Sequence, residues 1–338
     1  MPGTSSARFR GTCSRRDWLL AASAGGLGLA LPVSAHSMLA YPTRPITLVV
    51  PWPAGGATDI TMRVLADVAG RSFGTPMVVE NKPGAGGTLV GPALRAAAPD
   101  GYTIGQLPLT LYRFPLQQKV SWDPLRDVAP IIQISGVTFG VLVPADSPFQ
   151  SVPELMAWAR WHPGRLTVGS TGVGTTAHLA MEVVAAAEDA SYIHVPYKGT
   201  SDQMLALAGG ILMAGVNSTG FAPYVESGKL RLLAIFSAQR SRRWPAVPTM
   251  RELGYRNAVY NSPYGIGAPA ATDGAIVRKL HDAFKLAMFD RQHLAELARY
   301  DQEPAYLDSA DYAAQLRVTT QRERLLLARL GIAVGKPD

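Results

Sequence analysis

The chain has a single cysteine, Cys13, which stands inside its first 40 residues. Everything after residue 40 therefore has no disulfide, no thiol nucleophile and no thiolate metal site. Cys13 precedes the apolar stretch from Leu19 to Val33 instead of following it, which excludes a lipoprotein anchor. Catalytic signatures are absent too. There is no G-x-S-x-G elbow, no H-E-x-x-H pair and no G-x-x-x-x-G-K-[ST] loop. His162, His178, His194, His281 and His293 are scattered without metal-ligand spacing, so neither a metal nor a cofactor is expected. His281 and His293 read as surface helix positions and His194 as a strand residue. Basic runs are missing after residue 40 apart from Arg240-Ser-Arg-Arg243, and no nucleic-acid motif occurs. There is no repeat of fixed period and no disordered linker.

What the first 40 residues do contain is an export pattern. Arg8, Arg10, Arg15 and Arg16 form a basic head, Leu19 to Val33 a short apolar centre, and Val33-Ser34-Ala35 a small-residue cleavage site, with Ala40 as a second candidate. The apolar centre falls short of the ~20 strongly apolar residues a membrane span needs. Ser14-Arg15-Arg16-Asp17-Trp18-Leu19-Leu20 fits a twin-arginine signal, and an ordinary secretory signal is the alternative. Either route leads to the bacterial periplasm and a soluble protein. The formal charge of +7 includes +3 from this segment, leaving +4 for the remainder. That mild excess is compatible with anionic ligands and decides nothing alone.

The remainder is rich in turns where a β-branched run meets glycine and then a helix pattern. The clearest is Ile46-Thr-Leu-Val-Val-Pro-Trp-Pro-Ala-Gly-Gly-Ala-Thr-Asp59. Glycines let the backbone approach a ligand closely, and the free N–H groups of a helix start attract anions. The design recurs at Gly169-Ser-Thr-Gly-Val-Gly-Thr-Thr176, where Ser170, Thr171, Gly174, Thr175 and Thr176 offer donors and His178 lies just inside the next helix. Its glycines fall as G-x-x-G-x-G, in mid-chain, which argues against a dinucleotide loop. Gly84–Thr88 is a third such turn, with wall-shaping as its simpler role. In the first turn, Pro53, Ala54, Gly55, Gly56, Ala57 and Thr58 are the candidate contacts. Asp59 would either touch the ligand or merely favour the helix start.

Along the chain, short strand and helix patterns alternate. Strands are expected at 46–51, 77–80, 102–106, 131–143, 167–170, 193–195, 211–216, 230–236 and 262–268. Helices are expected at 58–73, 89–97, from the capping box Ser151-Val-Pro-Glu154 to Trp161, and at 177–187, 201–207, 273–288 and 310–330. Such alternation predicts an α/β fold with largely parallel sheets. Without a linker, any domain change must run through strands, and 131–143 and 260–268 are the best crossover candidates. A cleft between two α/β domains is then the default site.

The order and spacing of several pieces resemble the tripartite tricarboxylate transporter substrate-binding proteins, also called the Bordetella uptake gene (Bug) family. They are Tyr41-Pro-Thr-Arg-Pro-Ile46, Pro51–Asp59, Val79-Glu-Asn-Lys-Pro-Gly-Ala-Gly-Gly87, Ala98-Pro-Asp-Gly-Tyr-Thr103, Gly174-Thr-Thr-Ala-His-Leu179, Val195-Pro-Tyr-Lys-Gly199 and Gly228-Lys-Leu-Arg231. The resemblance implies a type II periplasmic-binding-protein fold: two α/β domains joined by two crossover strands with a ligand cleft between them. Residues 41–142 plus 264–338 would form a discontinuous domain and 143–263 an inserted one. It implies no enzymatic activity, a small carboxylate held by backbone amides and hydroxyls, delivery to the membrane permease subunits of a tripartite tricarboxylate-type transporter, and a monomer. Carried over by motif, Tyr197 and Lys198 lie on a loop at the cleft. Three departures bear on the ligand. Asn217 stands where an acid is usual. The segment Leu107-Pro-Leu-Thr-Leu-Tyr-Arg113 replaces a small polar loop and offers Thr110, Tyr112 and Arg113. Pro263-Tyr264 replaces a frequent Trp-Phe. Arg113 could take a carboxylate bidentately and Tyr264 could stack on or bond to it. Two alternatives stay open: a periplasmic ligand sensor feeding a two-component receptor, and an exported enzyme with His178 paired with Asp59 or Lys198 as its acid–base set.

Overall fold

The computed structural model describes residues 41–332. The export segment, its cleavage site and its twin-arginine motif lie outside the described residues. The apolar, β-branched run Ile46–Val50 forms strand β1, flanked in parallel by Met77–Asn81 (β2) and Thr103–Leu107 (β3). Helices Ala57–Phe73 (α1) and Val90–Ala96 (α2) connect these strands. Leu109–Gln117 (α3) follows β3 at once, and the short Pro124–Asp127 (α4) leads into a 17-residue strand, Val128–Pro144 (β4).

The next stretch repeats the α/β alternation: Val152–Trp161 (α5), Thr167–Ser170 (β5), Thr176–Ala187 (α6), Ile193–Pro196 (β6), Thr200–Ala208 (α7) and Ala214–Ser218 (β7). A 3-10 turn, Ala222–Glu226 (α8) and Leu230–Ile235 (β8) complete it. β5 runs parallel to both β6 and β7. The chain returns through Asn261–Pro269 (β9) and ends with Gly274–Met288 (α9), Arg291–Arg299 (α10), Pro304–Leu307 (β10) and Ser309–Arg329 (α11).

The strand order is β2-β1-β3-β9-β4-β7-β5-β6, with β8 and β10 also on β4. β4 changes partners along its length. Residues 128–138 pair with β9, and Phe139 onward pair with β7 and then β8. β9 joins at the same level, with Asn261 opposite Thr138. The two strands expected to cross between halves are thus β4 and β9. Parallel strands β1 and β3 lie on one side of this crossing, and β5 and β6 on the other.

Helix packing follows sequence periodicity. On α9, Leu280, Ala283, Phe284 and Ala287 recur at helical spacing and are buried, and α9 packs on α1, whose Met62, Leu65, Ala66 and Ala69 face inward. The expected capping box at α5 is present in part. Ser151 Oγ accepts from the Glu154 N–H, but Glu154 accepts from the Gln150 N–H and not from Ser151. Four expectations need correction. The sheet is mixed and not largely parallel, because β4 and β9 run antiparallel to every strand they pair with. The segment after β3 is a helix, α3, not a loop. α10 and β10 were not anticipated. His293, on α10, is fully buried beneath the Met288 carbonyl and not on the surface, because α10 lies against α1.

Candidate functional site

A small cavity, about 60 Å³, opens where the carboxyl ends of the parallel strands in both halves converge. Trp52, Pro53, Gly56, Ala57 and Thr58 line it from the β1–α1 turn, and Gln106, Pro108 and Thr110 from the β3–α3 turn. Across from them stand Thr171, Thr175 and Thr176 from the β5–α6 turn, Thr200 and Ser201 from the start of α7, and Ser218 from the end of β7. The crossing strands supply the back wall with Val137, Phe139, Ser262 and Tyr264. Among the described residues, no lining side chain carries a charge.

The helix starts provide the polarity. α1, α3, α6 and α7 all begin at the cavity, after Gly56, Pro108, Thr175 and Gly199, and none has a side-chain cap. Thr175 is a residue type that usually caps, but its hydroxyl turns back to the Gly172 carbonyl at 2.8 Å. The N–H groups of Ala57, Thr58, Thr176, Ala177, Thr200 and Ser201 have no partner among the described residues. Helices elsewhere are treated differently. Asp123, Ser151, Asp273, Asp290 and Asp308 cap α4, α5, α9, α10 and α11 with side-chain oxygens. The two remaining helices, α2 and α8, grow out of 3-10 turns and need no cap of this kind. Free donors and the positive ends of helix dipoles therefore concentrate at one place.

Hydroxyls divide into donors and acceptors. Thr110 and Thr200 donate inward, to the Gly86 carbonyl at 2.6 Å and to Asn217 Oδ1 at 3.1 Å, which leaves their oxygens only lone pairs to offer. The hydroxyls of Thr58, Thr171, Ser201 and Ser262 have no partner among the described residues and keep their protons available. Thr176 accepts from Arg113 at 3.2 Å and so also keeps its own proton. Gln106, absent from the sequence-based candidates, is 2 % exposed, and its Oε1 has no partner. A buried amide left unpaired is destabilising, so it calls for a donor from the cavity.

Behind the first turn, Asp59 acts as an organiser. Its carboxylate accepts from the Gly55 N–H at 2.8 Å, from Arg63 at 3.0 Å and from Asn81 at 2.7 Å, and Asn81 also holds the Trp52 carbonyl. Burial works against ionisation, but these hydrogen bonds outweigh it and hold the carboxyl below its usual range. The link to Gly55, which sits at φ +80, fixes the sharp bend that aims the α1 start at the cavity. Asp59 therefore lies outside the lining, and Ala54 and Gly55 form the exposed rim.

The second turn is braced from behind. His178 Nδ1 accepts from the Gly174 N–H at 3.1 Å, and its ring stacks on His194 with centroids 4.0 Å apart. His194 Nε2 lies 2.7 Å from Ser170 Oγ. Burial, then the neighbouring His178, pushes His194 down to about 4, against the pull of Glu182. Ser170, Gly174 and His178 thus shape the loop without lining the cavity.

Of the remaining sequence candidates, all but Tyr264 stand away from the lining. Arg113 is wholly buried. Its guanidinium is divided between Glu323, the Gly174 carbonyl at 2.9 Å and Thr176, and it does not line the cavity. Tyr112 points into an apolar cluster with Tyr312 and Leu316. Asn217 is buried with Gln203 and, through its Oδ1, positions Thr200 and Ser218. Tyr197 donates its N–H to the Ser170 carbonyl and packs on a side cluster, while Lys198 is exposed. Tyr264 lines the cavity with its ring, but its hydroxyl is committed to Gln302 at 2.9 Å. Thr200 and Ser201 had a legible signal, a glycine before a helix start. Gln106 had one too, an amide inside an apolar strand. Val137, Phe139 and Ser262 had none, because only tertiary folding brings the crossing strands here.

Two lobes joined by two crossing strands, with a ligand cleft at the strand ends between them, define a type II periplasmic binding protein. Residues 61–332 match the family described as "Tripartite tricarboxylate transporter family receptor". Among curated proteins, the "UPF0065 protein in gbd 5'region" of Cupriavidus necator is 46 % identical over 314 residues, covering 93 % of this chain and 96 % of that one. Among solved structures, the periplasmic binding protein BugD superposes with a TM-score of 0.83 at 27 % identity, over 87 % of this chain and 99 % of its own. Rpa4515 of R. palustris, solved with adipate, gives a TM-score of 0.82 at 28 % identity over the same shares. The chain belongs to the tripartite tricarboxylate transporter receptor family, whose members are substrate-binding receptors and not enzymes. Among the described residues, no helix is long and apolar enough to cross a membrane.

Proposed function

We propose that this receptor works in the periplasm, closes two lobes on a small organic carboxylate in the manner of a Venus flytrap, and delivers it to the membrane permease subunits of a tripartite tricarboxylate-type transporter. The observation that carries this is the set of four uncapped helix starts around an uncharged cavity. Backbone N–H groups and helix dipoles stabilise an anion without a cationic side chain, and the free hydroxyls of Thr58, Thr171, Thr176 and Ser201 add donors. The apolar faces of Trp52, Val137, Phe139 and Tyr264 suit a short carbon skeleton. Gln106 adds a place for a ligand group that can donate. The adipate bound to Rpa4515 is of this chemical kind.

The division at 142/143 and 263/264 is the second element of the proposal. The partner change of β4 at Thr138–Phe139, opposite the start of β9, supports a hinge on these two strands a few residues from those positions. The export pattern of residues 1–40 supports the periplasmic assignment.

The test is a thermal-shift panel of mono-, di- and aromatic carboxylates, followed by calorimetry on the strongest. A ligand at about 100 times its Kd stabilises the native state by ~2.7 kcal/mol, several degrees in Tm. No shift with any carboxylate at millimolar concentration would overturn the assignment.

A further inference from the structure

Arg113 is a buried cation that the carboxylate site does not use directly. It rises from α3 in the first half of the molecule and is 0 % exposed. Its Nε is held by Glu323 of α11, which belongs to the same half. Its two terminal nitrogens reach across to the second half. One donates to the Gly174 carbonyl and the other to Thr176 Oγ1, in the turn and first residue of α6. Beside this cation, Leu116 of α3, Leu327 of α11 and Leu179 of α6 form an apolar cluster separate from the main core. It too spans the two halves.

We propose that Arg113 is a positioning residue for ligand capture: it locks the α6 start of one lobe onto the other and orients the Thr176 hydroxyl toward the ligand. Thr176 accepts from the guanidinium on one side, so its single proton is left for an acceptor in the cavity, which a ligand carboxylate supplies. The contact polarises that hydroxyl, and the pull on the Gly174 carbonyl fixes the turn that aims the free N–H groups of α6. Glu323 stays beside Arg113 whether the lobes are open or closed, so opening leaves no unpaired charge. Only the two bonds across the cleft are made and broken with closure. They form after the encounter, so they act on dissociation and not on association. The proposal rests on the two-lobe closure put forward above.

The experiment uses the full chain, with adipate as probe and tryptophan fluorescence as signal, since Trp52 lines the cavity. Arg113→Lys keeps the charge beside Glu323 and removes the fork, and Thr176→Val keeps the shape and removes the hydroxyl. Each is expected to raise the dissociation rate about 10- to 100-fold with the association rate nearly unchanged. Thr176→Ser restores slow dissociation. The double variant is less than additive, because the Arg113–Thr176 bond is lost in both single variants. Small-angle scattering should show each lock variant more open than wild type at equal ligand saturation. Wild-type binding and closure with unaltered dissociation in Arg113→Lys would overturn the lock alone. Additive effects of the two variants would do the same. A wild-type chain that neither binds adipate nor closes with any carboxylate of the panel would overturn the receptor assignment and the lock with it.

Discussion

Gly199 offers a direct test of lobe closure. It precedes α7 at φ −171, extended backbone that any residue adopts, so an alanine there meets no conformational strain. What it meets is the opposite jaw. A Cβ on Gly199 would lie 2.6 Å from Pro53 Cγ and 2.7 Å from Pro53 Cδ, about 1 Å inside the 3.5–4.0 Å at which carbons attract. The overlap exists only while the jaws are together, and a slight opening relieves it. Overpacking of this kind costs about 1–3 kcal/mol, which becomes about a 5- to 150-fold weaker Kd when set against closure. Gly199→Ala is therefore expected to keep the melting temperature of the ligand-free protein within about 2 °C of wild type and to lose affinity in calorimetry. Pro53→Ala supplies the control. It removes Cγ and Cδ but keeps Cβ, which lies at an ordinary 3.6 Å from the added methyl. Relative to Pro53→Ala alone, adding Gly199→Ala should weaken binding by less than about 0.5 kcal/mol, within the limit for independent sites. If Gly199→Ala weakens binding as much in the Pro53→Ala background as in wild type, the cross-cleft contact is not the cause and the reasoning fails.

Asp59→Asn keeps the shape of the organiser but presents an amide nitrogen to donors. It should destabilise the fold by roughly 2–3 kcal/mol in denaturant titration and weaken ligand binding, because the Gly55 bend loses its anchor. His194, held down to about 4 by burial and by His178, stays neutral in the fold while the unfolded chain takes its proton near the ordinary value. Its contribution is complete above pH ~6.5 and is lost as pH falls toward ~4. Wild type should thus lose more melting temperature between pH 7 and pH 4.5 than His194→Gln. Buried His293, also pushed down by its burial, acts in both proteins and cancels in the comparison. Equal losses would show that His194 is not titrating against the fold.

Much of this was legible because the signals were local. The β1 run, the Pro/Gly turn and the α1 pattern lie within 30 residues of one another, and so do their counterparts around Gly169–Thr176. α3 was not legible, since Pro108 and Pro115 bracket a segment whose Leu109, Tyr112, Arg113 and Leu116 nonetheless have helical spacing. Arg113 beside a turn reads as a carboxylate ligand. Its actual partner, Glu323, lies 210 residues away, and no local pattern reports it. Asn217 and Tyr264 differ from expectation for the same reason. Their polar atoms are taken by Gln203, Thr200 and Gln302, residues that only the folded chain brings near.

Helix capping gives a rule for telling ligand turns from structural ones. An N-terminal side-chain cap is worth ~1 kcal/mol, and this chain places one at each of the helices α4, α5, α9, α10 and α11, none of which begins at the cavity. At α1, α3, α6 and α7 it forgoes that stabilisation, with Gly56, Pro108 and Gly199 at three cap positions and a Thr175 turned away at the fourth. An acid at any of these would satisfy the N–H groups within the protein and repel an anion. The omission lowers the stability of the empty protein, and the carboxylate proposed above would restore it. Under the closure proposed above, that exchange makes ligand binding and domain closure one event, because the four helix starts come from both lobes. It also accounts for a cavity without charged side chains. A fixed cation would hold the carboxylate on one lobe when the jaws part, whereas donors split between two lobes release it on opening.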